Sequence, residues 1–354
     1  MTQSFEYTWA NLTSALLTGT DLPVEATRWA MNSMMNGQAT PVQLAGFLIA
    51  LRAKGETVDE MEGLASAMIA NAVKYPDLAA SSKAVDIVGS GGDRLHTVNI
   101  STMASLVIAG AGIPVVKHGN RASSSSSGSA DVLEALGIPL DHTPTRIAEI
   151  GKAVGITFCF AQTFHPAMRF AGPTRKDLGL PTAFNFVGPI TNPGRPRATA
   201  VGVADAHMAP LIAGVFARRK TEALVFRGAL GLDELAAIGP ADLWTVFDGN
   251  VTQHVIDPVA DLGLPTIDVA DIQGASAEYN AQVALDFFGG KQGPVRDTVL
   301  LNAAAALVAD GTLPGTRTDR IADSLVNAME LAGQVVDDGR AMAVLEAWRA
   351  EATK

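Results

Sequence analysis

The sequence predicts an α/β protein, with a small N-terminal helical domain followed by a larger α/β domain built on a mostly parallel central sheet. Three observations lead there. Apolar residues recur at helical spacing up to about Val73, and short apolar strands alternate with helical patterns from Val85 onward. The 34 glycines, with 48% hydrophobic and 6% aromatic residues, suit many tight strand-to-helix turns. At 354 residues the chain also exceeds what one core usually organises. Residues 1–77 are therefore assigned to the helical unit and 78–354 to the α/β unit.

From Leu22 to about Val73, the positions Ala26, Trp29, Ala30 and Met34, then Leu44, Phe47, Leu48 and Leu51, keep the helical period. Thr40-Pro41 opens a helix within this stretch of about two to four helices. After the polar residues 79–83 the pattern changes to an apolar strand at 85–88, then glycines, then a helical segment at 101–109. Strand-like runs recur at 115–116, 156–160, 199–203 and 223–226, with a helical pattern at 207–219 between two of them. This alternation implies parallel strands covered on both faces. Helices are expected at 277–288, 295–309 and 320–331, and no internal repeat of fixed period is present.

A net charge of −10 without a long basic run argues against general nucleic-acid binding, because a phosphate backbone is held by clustered Lys and Arg. An anionic small substrate would instead need a local cationic pocket. The single cysteine, Cys159, lies in an apolar run and cannot form an internal disulfide, which fits a buried thiol in a reducing cytoplasm. No export signal precedes the first short apolar stretch, and the apolar run at 106–116 is broken by glycines and Pro114, so no membrane span is expected. The histidines lack metal-ligand spacing, and no serine sits in a Gly-x-Ser-x-Gly elbow.

Four loops could carry chemistry. Gly89-Ser90-Gly91-Gly92-Asp93 lies between a strand and a helix, where glycines let backbone N–H groups turn toward an anion; the alternative is an ordinary turn. It is neither a dinucleotide fingerprint, since Arg94 takes the place of the third glycine, nor a P-loop. Asn99-Ile100-Ser101-Thr102 stands where the next helix begins and could cap it or meet a ligand. Lys117-His118-Gly119-Asn120-Arg121-Ala122 leads through five serines to Gly128-Ser129 and concentrates cations and hydroxyls. A serine-rich linker is a poor reading of it, because an apolar strand and a helix start bound it closely. Asp233-Glu234 offers hard oxygen ligands of the kind Mg²⁺ takes, although adjacent side chains diverge and would more naturally serve two ions. On spacing alone the pair reads as a solvated face, and Arg175 as an exposed helical arginine that could equally fork onto a carboxylate.

Taken together, in order and spacing, these motifs with Gly128-Ser129-Ala130-Asp131-Val132-Leu133-Glu134 resemble the anthranilate phosphoribosyltransferase family. The likeness extends from Asn36-Gly37 and Ala50-Leu51-Arg52-Ala53-Lys54-Gly55 through Phe184-Asn185-Phe186-Val187-Gly188-Pro189 to the C-terminal helices. It implies a helical domain, joined by helices from about 166–190 and hinged to the α/β domain, with the active site in the cleft and a homodimer formed through the helical part.

By the same resemblance, phosphoribosyl pyrophosphate would be held by Gly89, Gly92, Asp93, Thr97, Asn99, Ile100, Ser101, Thr102, Lys117, His118, Gly119, Asn120, Arg121, Ala122, Ser123, Ser124, Ser125 and Ser129. Anthranilate would meet Gly89, Asn120 and Arg175, and two Mg²⁺ ions per subunit would use Ser101, Asp233 and Glu234. The chain departs from the family pattern at Ser90, where threonine is usual, at Ser126, where many relatives have lysine, and at Ala236-Ala237, where hydroxyl residues are common. The other enzymatic reading of such a fold is a pyrimidine nucleoside phosphorylase, and the reading outside catalysis is a nucleic-acid-binding relative.

Overall fold

The computed structural model describes residues 6–122 and 126–354. Four helices open the chain: α1 (Trp9–Leu17), α2 (Val24–Met35), α3 (Pro41–Lys54) and α4 (Val58–Ala70). The one-turn α5 (Leu78–Ser81) precedes β1 (Val85–Gly89), α6 (Ile100–Gly110), β2 (Val115–Gly119), α7 (Ser129–Ala135), α8 (Pro144–Val154) and β3 (Ile156–Phe160). Short helices α9 (Ala161–Phe164), α10 (Gly172–Leu178) and α11 (Ala183–Val187) then lead to β4 (Ala198–Gly202), α12 (Met208–Arg219) and β5 (Glu222–Arg227). The hairpin β6 (Ala241–Phe247) and β7 (Asn250–Ile256) is followed by α13 (Ala277–Phe288), α14 (Pro294–Asp310), α15 (Ile321–Asp337) and α16 (Arg340–Ala352).

The seven-stranded sheet runs β3-β2-β1-β4-β5-β6-β7. Its first five strands in that order are parallel, and β6 and β7 are antiparallel additions at one edge. Strand alternation sorts the side chains to two faces. Val85, Ile87, Ala198, Ala200, Leu224 and Phe226 pack in one core with α6, α14, α15 and α16. Val201, Val203, Ala223 and Val225 pack in another with α1 to α4 and α12, and that core also takes in Ala171, Phe184 and Phe186 from the 161–190 stretch. The helical bundle is thus continuous in packing with one face of the sheet.

Helix α3 shows how local signals set an element. Thr40 Oγ1 accepts from Gln43 N at 3.3 Å while Gln43 Oε1 accepts from Thr40 N at 3.0 Å, and Pro41 occupies the first turn, where its missing N–H costs nothing. Thr40→Ala is expected to lower unfolding stability by about 1 kcal/mol. Urea denaturation checks this, and an unchanged midpoint would show that the cap is redundant.

Several elements lie outside the sequence reading, among them α1, α5, α8, the β6–β7 hairpin and α16. Helix α1 precedes Leu22, anchored by the buried Leu12 and Leu16 and capped by Thr8. The β6–β7 hairpin turns through Asp248 (φ 51°) and Gly249 (φ 77°), a left-handed pair of the type that favours a two-residue hairpin turn. Its outer strand is mostly exposed, so alternation there is weak. Helix α16 closes the chain with Trp348 buried. Cys159 is buried in β3, and no helix among the described residues is long and apolar enough to cross a membrane.

Candidate active site

Parallel strands end together, so the loops that follow β1, β2, β4 and β5 gather at one edge of the sheet. After β1 the chain turns through Gly91 (φ 67°), Gly92 (φ 89°), Arg94 (φ 61°) and His96 (φ 54°), a run of left-handed backbone that glycine tolerates and other residues adopt only under constraint. The loop is pinned at its far end by a Thr97–Gln273 bridge and enters α6 at Asn99. Asn99 Nδ2 donates to Ser127 O at 3.1 Å, and Asn99 Oδ1 accepts from Asn280 Nδ2 at 2.8 Å. The loop after β2 is folded back by the Asp131 carboxylate, which accepts from Ala122 N (3.0 Å), Gly128 N (2.9 Å) and the Arg121 guanidinium (2.9 Å).

These loops enclose a cavity of about 240 Å³. Of the residues expected from the sequence, Gly89, Gly92, Asp93, Thr97, Asn99, Ile100, Ser101, His118, Gly119, Asn120, Arg121, Ala122, Ser129, Asp233 and Glu234 line it. Ser90, Gly91, Ser127 and Gly128 join the wall, though the sequence assigns them no ligand. Ser123, Ser124 and Ser125 lie outside the described residues. The Arg121 side chain is engaged by Glu134 as well as Asp131 and lies over the Phe160 ring at 5.5 Å.

Lys117 and Thr102 stand behind the wall rather than in it. Lys117 is only 1% exposed, and its Nζ donates to Ile87 O at 2.5 Å and to Ser101 Oγ at 3.1 Å. Burial pulls its ammonium down to about 8, against the opposing pull of Asp86 and Glu234. The cation thus reaches the cavity through Ser101 and through its field.

The acids depart most from the sequence reading, which expects adjacent side chains to diverge toward separate ions or to face solvent. Instead the backbone bends at Asp233 and Glu234, and one carboxylate oxygen from each lies within 4.8 Å of the others in a set that includes Asp93. Three glycines clear the space: a Cβ at Gly89 would stand 2.3 Å from Asp233 Oδ2, one at Gly202 would stand 1.6 Å from Asp233 O, and one at Gly228 would stand 2.3 Å from Glu234 O. Gly91 N donates to Asp233 Oδ2 at 2.6 Å. Burial, reinforced by the neighbouring acids, pushes Asp233 up to about 7 and Glu234 well above the carboxylate range. Glu234 Oε2 is buried and accepts no hydrogen bond. Desolvated like charges beside an unsatisfied oxygen form a donor set suited to a hard divalent cation.

A second cavity, of about 490 Å³, adjoins the first and shares Val88, Gly89, Ser90, His118, Gly119 and Asn120 with it. Its more apolar remainder includes Met68, Met168, Phe184 and Pro189, together with Arg169 and Arg175. Arg175, on α10, is not the exposed helical arginine that spacing alone suggests. Its guanidinium lies 5.1 Å from the centre of the Phe184 ring, burial lowers its pKa, and it has no acidic partner among the described residues. His118 and His165 approach with ring centroids 5.2 Å apart. Burial holds them near 3 and 4, so both rings are neutral at pH 7.

The positions that depart from the resemblance fall into distinct settings. Ser90 Oγ accepts from Ala204 N at 3.1 Å and donates to Gly91 O at 3.0 Å, so serine supports the loop. Ala236 and Ala237 are buried in the core, 2% and 3% exposed. Ser126 is exposed at the rim of the loop.

Comparison with known proteins follows the same division. Residues 81–342 match the family described as "Glycosyl transferase family, a/b domain", and residues 10–72 match its "helical bundle domain". The chain is 56% identical over 342 residues to the anthranilate phosphoribosyltransferase of Arthrobacter sp. (strain FB24), covering 96% of this chain and 95% of the relative. It is 53% identical to that of Streptomyces griseus, covering 96% and 94%. Among solved structures, the Thermus thermophilus anthranilate phosphoribosyltransferase superposes with a TM-score of 0.87 at 36% identity, covering 97% of this chain and 99% of that one. The Saccharomyces cerevisiae protein, solved in complex with PRPP and Mg, shares the fold at a TM-score of 0.83 and 24% identity, with 98% of each chain covered.

Proposed function

The chain belongs to the anthranilate phosphoribosyltransferase family, and from that premise we propose how its two adjoining cavities divide the work. The enzyme is a glycosyltransferase that moves the 5-phosphoribosyl group of phosphoribosyl pyrophosphate onto the amine of anthranilate, releasing pyrophosphate. The polar cavity takes phosphoribosyl pyrophosphate, and the more apolar one takes anthranilate. The observation that carries this assignment is the shared wall at Gly89, Ser90 and Asn120, which sets an anion cradle on one side and the half-buried Arg175 on the other. The yeast relative's complexes with PRPP and Mg and with 4-fluoroanthranilate support the same pairing of ligands.

The Gly89–Asp93 loop, the start of α6 at Ser101, and Asn120 and Ser129 present N–H and hydroxyl donors to the phosphates. Asp93, Asp233 and Glu234 would hold Mg²⁺, with Ser101 the remaining hard ligand for a second ion, two per subunit. Bound there, magnesium neutralises charge on the pyrophosphate. Arg175 holds the anthranilate carboxylate through its planar fork, with the ring against the apolar wall, so that the amine faces Gly89 and Asn120. The amine, neutral at pH 7, attacks ribose C1 as the C1–oxygen bond breaks; the electron pair leaves with pyrophosphate and the amine's proton is lost. Neutral His118 and His165 are consistent with a reaction that needs no strong base. Holding donor and acceptor in line supplies much of the rate, and closure of the helical unit on the α/β unit would exclude water.

Exposed Leu17, 74% accessible, and Ile49 sit with Ala45, Gly46, Ala50 and Ala53 on an apolar patch of α1 and α3, which supports a homodimer through the helical unit. The expected setting is cytoplasmic tryptophan synthesis. Pyrimidine phosphorolysis and nucleic-acid binding are not favoured by the relatives. Anthranilate fluorescence is expected to fall when phosphoribosyl pyrophosphate and Mg²⁺ are both present, and to hold steady when EDTA is added. Steady fluorescence at high enzyme, together with phosphorolysis of uridine, would move the function to the phosphorylase reading.

A further inference from the structure

A third cavity, of about 490 Å³, lies behind the anthranilate-side cavity, with which it shares Pro189. Its walls combine α4 (Ser66, Ile69), the segment 189–196, α12 (Phe216, Arg219) and the strand pair Asp86 and Thr199. Asp86 and Thr199 are partners in register three positions before Gly89 and Gly202. At about 3.3 Å per residue, the cavity therefore opens roughly 10 Å back along the strands, toward the end opposite the catalytic loops.

Two polar groups in this wall are buried and unsatisfied. Thr199, 2% exposed, has a hydroxyl with no hydrogen-bond partner. Arg219 spends Nε on Glu62 at 2.7 Å and Nη1 on Ile190 O at 2.6 Å, yet its Nη2 is buried without a partner. Arg195 supplies a second guanidinium at the rim. The one lining acid has its oxygens engaged, Asp86 Oδ1 accepting from His118 N at 3.1 Å and Oδ2 from Asn192 Nδ2 at 2.8 Å, although burial still lifts its carboxyl to about 6. Ile69, Pro189, Ile190 and Phe216 make the rest of the wall apolar. A cavity this size exceeds the space of a few bridging waters, and buried donors left unpaired are costly.

We propose that this cavity is a second ligand site, which takes a small organic anion with an apolar body, such as an aromatic carboxylate, held by Arg219, Arg195 and Thr199. Its occupant touches α4 of the helical bundle and β1 and β4 of the sheet at once, so it bridges the two parts of the molecule whose relative placement forms the cleft.

The test is a ¹⁹F NMR titration of the full chain with 4-fluorobenzoate, in an Arg175→Ala background that weakens binding in the catalytic cleft. One saturable site is expected to remain. Adding Thr199→Val, or separately Arg195→Gln, is expected to weaken that site roughly fivefold or more. Arg195 is exposed, so the second variant decides the matter even if Thr199→Val disturbs folding. No residual site in the Arg175→Ala protein, or a residual site with unchanged affinity in the Arg195→Gln protein, overturns the proposal and leaves the cavity to water.

Discussion

Replacing Asp233 by Asn together with Glu234 by Gln is expected to lower kcat/KM by roughly two to three orders of magnitude at saturating Mg²⁺. The residual rate should respond only weakly to metal concentration. The same change is expected to make the metal-free protein more stable at alkaline pH. Both acids are held above their ordinary values, chiefly by burial, then by Asp93 for Asp233 and by Asp233 and Asp93 for Glu234. A carboxyl raised on folding binds its proton more tightly in the native state. Its ionisation therefore costs nothing below the unfolded value near ~4, and the cost grows as pH rises through about 7 for Asp233 and further for Glu234. The double variant should thus melt a few degrees above wild type at pH 8 in EDTA, match it near pH 4, and lose its advantage when Mg²⁺ is added. Melting curves across this range check it. A variant less stable than wild type at pH 8 without metal would show that the acids are held by contacts other than a cation.

Arg175→Ala is expected to raise KM for anthranilate roughly ten- to a hundredfold while KM for phosphoribosyl pyrophosphate stays within about twofold. The cause is electrostatic. A desolvated guanidinium with no acidic partner is costly by itself and is compensated when a carboxylate arrives. Removing it should therefore leave melting temperature unchanged or slightly higher, which a merely structural arginine would not do. Arg175→Lys keeps the charge but loses the two-pronged geometry and should fall between the two. Steady-state kinetics with each substrate varied in turn decides the matter; equal effects on both KM values would deny Arg175 a separate role.

Much of the site is readable in advance because its parts are local. Strand, glycine turn and helix start follow one another within Val85–Ser101 and again within Val115–Ser129, and turn chemistry and capping act over a few residues. Arg175 and the acids read as surface because burial is not a property of spacing. Lys117, which the resemblance sets against the phosphates, lies behind the cavity wall for a related reason. Its place in β2 turns it under the loop, where it donates to Ile87 O, and only the neighbouring strand makes that visible. Gly202 and Gly228 carry no functional signal of their own, yet a side chain at either would collide with the backbone of the acidic turn.

By itself the sequence determined the alternation of elements, the phosphate-type loops and, through their order, the family, since periodicity and turn propensity are written within short windows. Only the tertiary structure decided that Asp93 joins Asp233 and Glu234, that Gly91 N meets an acid 142 residues away, and that Arg175 stands desolvated with no acidic partner among the described residues. Those facts depend on which distant loops the parallel strands deliver to the same edge, and on how much water the packing there leaves around a charge.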